Sequence, residues 1–242
     1  MDLVAAINLR RSRRRYISKT LNQDEINKIQ ILIKKYNQEA NIRLELITNN
    51  GDAFNGLTRS YGMFSGVNNY VGMIANRHDD TAEERLGYYG ELLVLNLTIM
   101  GLGSCFVGGS YQKKLCPFKL NKEEEIVCVI PFGYVEEVDS FREKAIRTLA
   151  HRKTKRIEEM YQAKGQVPKW FVSGLEAVQK APSAINRQPV LFTYLNNEVS
   201  AKVSDYKKSM MAIDLGIAKL HFELGSGGGS WQWGNDAQFI KQ

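Results

Sequence analysis

The chain has 242 residues, 43% of them hydrophobic, and its formal net charge is +7. That length can bury the core of one large domain or of two small ones. The three cysteines, Cys105, Cys116 and Cys128, are odd in number and lack Cys-x-x-Cys spacing, so we expect neither a disulfide framework nor a metal site. No apolar run is long enough to span a bilayer, and the arginines follow the first apolar stretch. We therefore expect a cytoplasmic protein without a secretory signal or a membrane partner.

The first distinctive stretch is Arg10–Tyr16, Arg-Arg-Ser-Arg-Arg-Arg-Tyr, which follows a short predicted helix over residues 2–9. Guanidinium groups bind phosphate bidentately and stay charged, and a hydroxyl adds a donor. On a helix Arg10 and Arg14 would share one face, and Arg13 would point away from it. The stretch predicts a phosphate clamp. A solvated basic tail or a nucleic-acid patch would have the same composition, but few aromatic residues accompany the arginines, which argues against nucleic acid.

Periodicity and capping signals predict the elements of the first part of the chain. They are a helix from the N-cap Asn22, with Glu25 in a capping box, to about residue 38, strands over 42–48 and 69–75, a helix over 81–100 that Gly101 ends, and a strand over 126–132. The helix over 81–100 is apolar on nearly every face, which predicts a central core helix. Glu91 within it is either a paired buried carboxylate or a residue near the helix start.

The second part of the chain gives a similar series. We predict a basic helix over 141–164, a helix over 169–181, strands over 190–195 and 199–203, an amphipathic helix over 210–224, a flexible loop over 225–230 and a final strand from Trp231. Residues 22–100 and 170–224 therefore both run from a helix through short strands to a glycine-containing apolar helix. This is a faint internal repeat that sequence identity does not prove.

Two further stretches have the composition of ligand-binding segments. Residues 101–109, Gly-Leu-Gly-Ser-Cys-Phe-Val-Gly-Gly, end in a glycine pair that lets a flat ligand approach the backbone, although a helix end followed by a strand would look the same. Residues 181–189, Ala-Pro-Ser-Ala-Ile-Asn-Arg-Gln-Pro, are equally typical of a turn between a helix and a strand. Each signal alone is weak.

Together, the arginine stretch, residues 101–109 and residues 181–189 resemble the nitroreductase family of flavoenzymes. The resemblance implies an α+β fold with antiparallel-dominated sheets flanked by helices. In that family the protein is usually a homodimer, and FMN lies at the interface with contacts from both subunits. No side-chain acid or base is needed for hydride transfer, because the cofactor carries the chemistry.

The order of the motifs departs from the ordinary family pattern. The proline-serine-alanine segment normally follows the arginine motif closely, whereas here it begins only at Ala181, after the stretch that resembles the ordinary C-terminal end. The chain therefore resembles the branch in which two nitroreductase halves are fused as a pseudo-dimer. We expect halves at 1–165 and 166–242 that form one compact unit, one FMN per chain and compatibility with a monomer.

The resemblance also implies roles for individual residues. Arg10, Ser12 and Arg14 would hold the FMN phosphate, Arg11 would lie beside the ribityl chain, and Arg152 would also reach the phosphate. The backbone N–H of Gly108 would lie near flavin N5. The flavin rings would lie between Phe106, Val107, Gly108 and Gly109 on one side and Pro182, Ser183 and Ala184 on the other, with amide hydrogen bonds from Asn186 and Gln188.

The predicted function is that of an FMN-dependent oxidoreductase. NAD(P)H would reduce the flavin, and a small electron acceptor such as a nitroaromatic or a quinone would then enter the same pocket. Two alternatives remain open: a flavin-binding storage or sensing protein with little turnover, and a nucleic-acid-binding module built on the arginines.

Overall fold

A computed structural model describes residues 1–55, 63–136, 153–208 and 210–242. Its helices are α1 (Leu3–Leu9), α2 (Gln23–Ala40), α3 (Ala82–Ile99), α4 (Lys169–Val178) and α5 (Met211–Gly225). Its strands are β1 (Arg43–Ile47), β2 (Asn69–Asn76), β3 (Gly103–Ser104), β4 (Glu124–Gly133), β5 (Tyr161–Ala163), β6 (Leu191–Leu195), β7 (Glu198–Lys202), β8 (Gly229–Trp231) and β9 (Ala237–Lys241). Short 3₁₀ turns cover Lys113–Leu115, Ile157–Glu159 and Ala184–Asn186.

The chain divides into two compact units. The N-terminal unit comprises Leu9–Asp79 and Leu93–Ala150, and the C-terminal unit comprises Met1–Asn8, Asp80–Leu92 and His151–Gln242. The first part of α3 thus belongs to the C-terminal unit and its last part to the N-terminal unit. The sequence predicts two halves, 1–165 and 166–242, from the positions of its motifs. This division stays a prediction.

The N-terminal unit is built on a four-stranded antiparallel sheet in the order β1-β2-β4-β3. Strand β2 is buried along Asn69–Ala75, which fits its central position. Aromatic residues fill the adjoining core: the ring of Phe54 lies 5.5 Å from that of Tyr70 and 5.6 Å from that of Phe64. These rings pack edge to face, which is a favourable arrangement for aromatic pairs.

The C-terminal unit contains a five-stranded sheet in the order β5-β6-β7-β9-β8. Its pairs are antiparallel except for β5 with β6. Phe192 stacks on Phe222 at 4.9 Å, and Phe171, Trp231 and Phe239 complete the aromatic centre of the core. The predicted α+β class with antiparallel-dominated sheets is confirmed.

The two units share one topology. In chain order, α2, β1, β2, α3, β3, β4 is repeated as α4, β6, β7, α5, β8, β9, and in each sheet the strands lie in the order first, second, fourth, third. Strand β5 is an addition at the edge of the second sheet. The sequence shows the repeat only as a helix, short strands and a second helix. In the described structure the repeat also includes the two strands that follow and the order of all four strands in each sheet.

Helices α3 and α5 meet through glycines inside the C-terminal unit. A Cβ atom at Gly87 would collide with the Ile213 carbonyl oxygen, and one at Gly216 would collide with the Glu84 carbonyl oxygen. Gly87 thus faces the residue three positions before Gly216, and Gly216 faces the residue three positions before Gly87. The contact between the two helices is therefore reciprocal. Such close backbone approach requires residues without a side chain.

Most predicted elements are confirmed, but three local predictions are wrong. Residues 157–163 form a 3₁₀ turn and β5 instead of the end of a basic helix. The reason is that Met160 is buried in the core and β5 pairs with β6. The part of the predicted helix up to residue 152 lies outside the described residues. Helix α5 is not amphipathic, since every residue from Met211 to Phe222 is buried. The loop predicted over 225–230 ends early, because Gly229 begins β8.

Candidate functional site

The arginine stretch is not helical in the structure. Helix α1 ends at Leu9, and the following residues run between two other segments, with isolated bridges from Ser12 to Ser104 and from Arg15 to Ser65. The Arg13 N–H donates to the Ser104 carbonyl at 2.8 Å. The helical arrangement of Arg10 and Arg14 considered above is therefore wrong, because backbone pairing on both sides holds this stretch extended.

Arg13 and Tyr16 fix the arginine stretch to the body of the N-terminal unit. Arg13 is buried, and its Nη2 donates to the Glu136 carbonyl oxygen at 2.9 Å. The Tyr16 hydroxyl lies within hydrogen-bond distance of the Arg13 and Pro131 carbonyls, at 2.7 and 2.9 Å. Arg13 and Tyr16 are buried, whereas Arg10, Ser12 and Arg14 are half-buried and Arg11 and Arg15 are exposed.

The predicted flavin-edge stretch begins where the arginine stretch is paired. Ser104, the bridge partner of Ser12, leads directly into Phe106–Gly109. Val107 exchanges backbone hydrogen bonds with Val129, at 2.9 and 3.1 Å, and its side chain lies in the hydrophobic core. Gly108 and Gly109 are exposed, and a Cβ at Gly109 would meet nothing within 4 Å. A short pairing thus joins the arginine stretch to the segment that leads to an open glycine pair.

Two groups of predicted site residues therefore lie in different units. Arg10, Arg11, Ser12, Arg14, Phe106, Val107, Gly108 and Gly109 belong to the N-terminal unit, and Pro182, Ser183, Ala184, Asn186 and Gln188 belong to the C-terminal unit. Arg152 lies outside the described residues. The side chain of Val107 lies in the core, so its predicted contact with the flavin would be made through its backbone.

Residues 182–188 form a tight turn with unusual backbone angles. Ile185, Asn186 and Gln188 have φ values of 50°, 50° and 45°, in the left-handed region that β-branched residues such as isoleucine rarely occupy. Strain of this kind persists only where surrounding contacts impose it.

Side-chain hydrogen bonds impose the shape of the turn. The Gln188 N–H donates to Ser183 Oγ at 2.9 Å, and the Ala184 N–H donates to both carboxylate oxygens of Asp214 on α5, at 3.1 and 3.2 Å. The Gln188 side chain is buried; its Oε1 accepts from the Lys155 N–H at 2.8 Å, and its Nε2 donates to the Gln179 carbonyl at 3.2 Å. Ser183 and Gln188 thus shape the turn from within the unit.

A small pocket lies beneath the turn, with about 260 Å³ of empty space that is partly open to solvent. Its lining is largely apolar, and Ser183, Gln188 and Asp214 are its polar side chains. Burial raises the pKa of Asp214 to about 7, although the Ala184 N–H and the charge of Arg187 act in the opposite direction. The carboxyl group of Asp214 is only 3% exposed.

Sequence reasoning missed Asp214, Gln179 and Lys155. The signal for Asp214 was present, because an acidic residue within an otherwise apolar helical stretch must be paired or protonated when buried. The predicted amphipathic helix concealed it by giving Asp214 an exposed face. Lys155 donates to Gln188 through both its N–H and its ammonium group, and the Gln179 carbonyl accepts from Gln188 Nε2. No spacing in the sequence indicates these contacts.

The residues present fit a flavin mononucleotide in their chemistry. Guanidinium and hydroxyl groups along one short segment suit a dianionic phosphate, and the open glycine pair suits the close approach of a flat ring. Within the described ranges, no group of three or more His, Cys, Asp or Glu side chains could hold a metal ion. None of the helices described is both long and apolar enough to cross a membrane.

Comparisons with known proteins agree with these features. The family model described as "Putative TM nitroreductase" matches residues 2–226. A "putative nitroreductase" of Thermotoga maritima has a similar fold, with a TM-score of 0.66 and 20% sequence identity over 99% of this chain and 92% of that chain.

An "FMN-dependent Nitroreductase" of Clostridium difficile is more distant, with a TM-score of 0.45 and 16% identity over 56% of this chain and 89% of that chain. No curated protein matches the chain. The family match covers nearly the whole sequence and coincides with the predicted α+β fold. The chain therefore belongs to this nitroreductase family, a family of oxidoreductases.

Proposed function

We propose that the chain is an FMN-dependent oxidoreductase that uses NAD(P)H to reduce a nitroaromatic, a quinone or a similar small acceptor. The observation that carries this proposal is the pairing of Ser12 with Ser104, which joins a segment of arginines to an open glycine pair in one unit. Bound FMN would supply the redox chemistry by accepting a hydride from NAD(P)H and passing two electrons to the acceptor. The residues of the chain then have to bind, orient and shield it.

Each predicted contact has a physical basis. Arg10, Ser12 and Arg14 would hold the phosphate, with Arg11, which is exposed, beside the ribityl chain. The exposed backbone at Gly108 would lie near flavin N5. Val107 would support this stretch through its backbone bonds to Val129, because its side chain is occupied in the core.

The other flavin contacts would come from the turn in the C-terminal unit. Pro182, Ser183 and Ala184 would lie along the rings, and Asn186 would supply an amide hydrogen bond. Gln188 would act mainly by holding the turn, since its side chain already binds Lys155 and Gln179. Arg152 remains a proposed phosphate ligand on the strength of the resemblance alone.

We also propose that the chain is a fused pseudo-dimer. The repeated order of helices and strands and the matching strand order of the two sheets support a duplicated half. In this arrangement the N-terminal unit keeps the arginine and glycine motifs, and the C-terminal unit keeps the turn. A complete site then needs one copy of each motif, which predicts one FMN per chain.

The test is the near-ultraviolet and visible absorbance spectrum of the purified protein, recorded after incubation with FMN and again after anaerobic NADH or NADPH. We expect flavin peaks that bleach when the pyridine nucleotide is added, with one flavin per chain. Flavin that binds but stays oxidised would instead support a storage or sensing role. Oligonucleotide binding without flavin binding would support the nucleic-acid alternative.

A further inference from the structure

The turn at residues 182–188 has a strained backbone conformation and contacts the carboxyl group of Asp214 on helix α5. Three of its residues, Ile185, Asn186 and Gln188, have left-handed backbone angles although none is glycine. Among the described residues that line the pocket beneath the turn, Asp214 has the only ionisable side chain. Its two carboxylate oxygens both receive the Ala184 N–H, immediately before the first left-handed residue.

We propose that Asp214 is a positioning residue of the flavin site, whose charged carboxylate holds residues 184–188 in the flavin-binding shape and whose protonation loosens them. This inference rests on the proposed function, because the turn is a flavin contact only there. A hydrogen bond to a charged acceptor is stronger than one to a neutral acceptor. The Ala184 N–H should therefore be bound more firmly when Asp214 is ionised.

The surroundings of Asp214 leave its charge only partly compensated. Arg187, within the turn itself, is the cation that acts on it. On α5 and on the packed part of α3, Lys219 pairs with Glu84 and His221 pairs with Glu91, and Arg85 is also buried there. Lys155 donates to the Gln188 carbonyl on the far part of the turn. Burial of Asp214 raises its pKa to about 7, which places its ionisation in the neutral range.

The amide proton of Ala184 reports directly on this contact, and it can be followed by NMR in the full chain without flavin. We expect its chemical shift to titrate with a midpoint near the pKa of about 7. Its protection against exchange with solvent, corrected for the intrinsic pH dependence, should rise roughly five- to tenfold across the same range, as a neutral hydrogen bond becomes charge-assisted. Asp214→Asn, which keeps an acceptor but cannot ionise, should remove both changes.

Glu223→Gln is the matched control. Glu223 lies on the same helix, and its pKa is also raised by burial, but it interacts with Tyr88 instead of the turn. The Ala184 titration should persist in this variant. A second variant, Arg187→Gln, removes the neighbouring cation and should move the midpoint to higher pH, which keeps the test available if Asp214→Asn does not fold.

An Ala184 titration that is unchanged in Asp214→Asn, or a midpoint that does not move in Arg187→Gln, would overturn the contact role. FMN affinity then tests the link to the site. The FMN affinity of the wild type, divided by that of Asp214→Asn, should rise about fivefold as Asp214 ionises. Because the FMN phosphate titrates equally in both measurements, its effect cancels in this ratio. A ratio that stays constant while Ala184 titrates normally would overturn the flavin role of Asp214. Failure of both the wild type and Asp214→Asn to bind FMN would overturn the proposed function.

Discussion

The two units have the same strand order but stabilise their interiors differently. In the described part of the N-terminal unit, the core is an apolar and aromatic cluster around Phe54 and Tyr70. In the C-terminal unit, the interior also holds Glu84, Glu91, Asp214, Lys219 and His221, all nearly inaccessible to solvent. A shared topology therefore does not require a shared kind of core.

Buried charges are costly unless they are paired, so the C-terminal unit must satisfy each one. Lys219 Nζ lies 2.5 Å from Glu84 Oε1 and also donates to the Gln232 and Gly234 carbonyls at 3.0 Å. Tyr206 and the Gly234 N–H donate to the second Glu84 oxygen, at 2.5 and 2.9 Å. This network ties α3 and α5 to the strand region that follows α5.

The largest predicted effect breaks this network. Glu84→Ala leaves the Lys219 ammonium buried without its carboxylate, and we expect a loss of about 3–5 kcal/mol in the free energy of unfolding, measured by urea denaturation. Burial already lowers the pKa of Lys219 in the presence of Glu84. Glu39→Ala, which removes only the exposed pair with Lys35, should change stability by less than about 0.5 kcal/mol. Equal losses in the two variants would contradict the comparison.

The second prediction concerns pH. Because the folded-state pKa of Asp214 is raised from 3.8 to about 7, its contribution to stability is fully present below pH 3.8 and is lost as pH rises through 7. Asp214→Asn removes this loss, because asparagine does not ionise. As pH rises from 3.8 to 7, the variant should therefore gain stability relative to the wild type, by on the order of 2–4 kcal/mol. Thermal unfolding of both proteins across this pH range measures the difference. A difference that is independent of pH would rule out ionisation of Asp214 as its cause.

The third prediction separates two adjacent arginines of the N-terminal unit. Arg14→Ala should weaken FMN binding by about 1–3 kcal/mol, because a charge-assisted hydrogen bond to the phosphate is lost. Arg13→Ala should weaken FMN binding much less and instead lower stability, since Arg13 is buried and binds the Glu136 carbonyl. Fluorescence titration with FMN and urea denaturation distinguish the two effects. Unchanged flavin affinity in Arg14→Ala would remove this residue from the clamp.

The smallest prediction compares the equivalent helices α2 and α4. Asn22 and Glu25 form a complete capping box at the start of α2, whereas Pro168 at the start of α4 makes no side-chain cap. Asn22→Ala should therefore destabilise the protein by about 1 kcal/mol in thermal unfolding. Lys28→Ala, at an exposed position of the same helix, is the control and should have little effect. A similar loss in both variants would mean that the capping box contributes nothing specific.

Much of the fold could be predicted from local patterns. The capping box at Asn22 and the buried helix α3 followed from residue types and spacing, and the structure confirms them. For Glu91 the sequence left two alternatives, and the structure shows the paired buried carboxylate. These features depend on interactions within a few turns of chain or on burial of a continuous apolar run. Such information is local to the sequence.

The remaining features depend on distant partners. The extended form of the arginine stretch is imposed by Ser65 and Ser104, and strand β5 forms because β6 lies beside it. The role of Asp214 depends on Ala184, far earlier in the chain. No periodicity reports such pairings, which is why the motifs predicted which residues belong to a site but not how the structure holds them.

The reciprocal glycine contact between α3 and α5 has a consequence for self-association. A contact of this shape would also allow two copies of α3 to meet, since small residues permit close approach on either helix. In the pairs Lys219–Glu84 and His221–Glu91, however, the acids lie on α3 and the bases on α5. Two α3 helices would bury Glu84 and Glu91 of both copies without Lys219 and His221, and buried carboxylates are costly without their partners. Glu84, Glu91, Lys219 and His221 therefore favour the pairing of α3 with α5 over the pairing of two α3 helices.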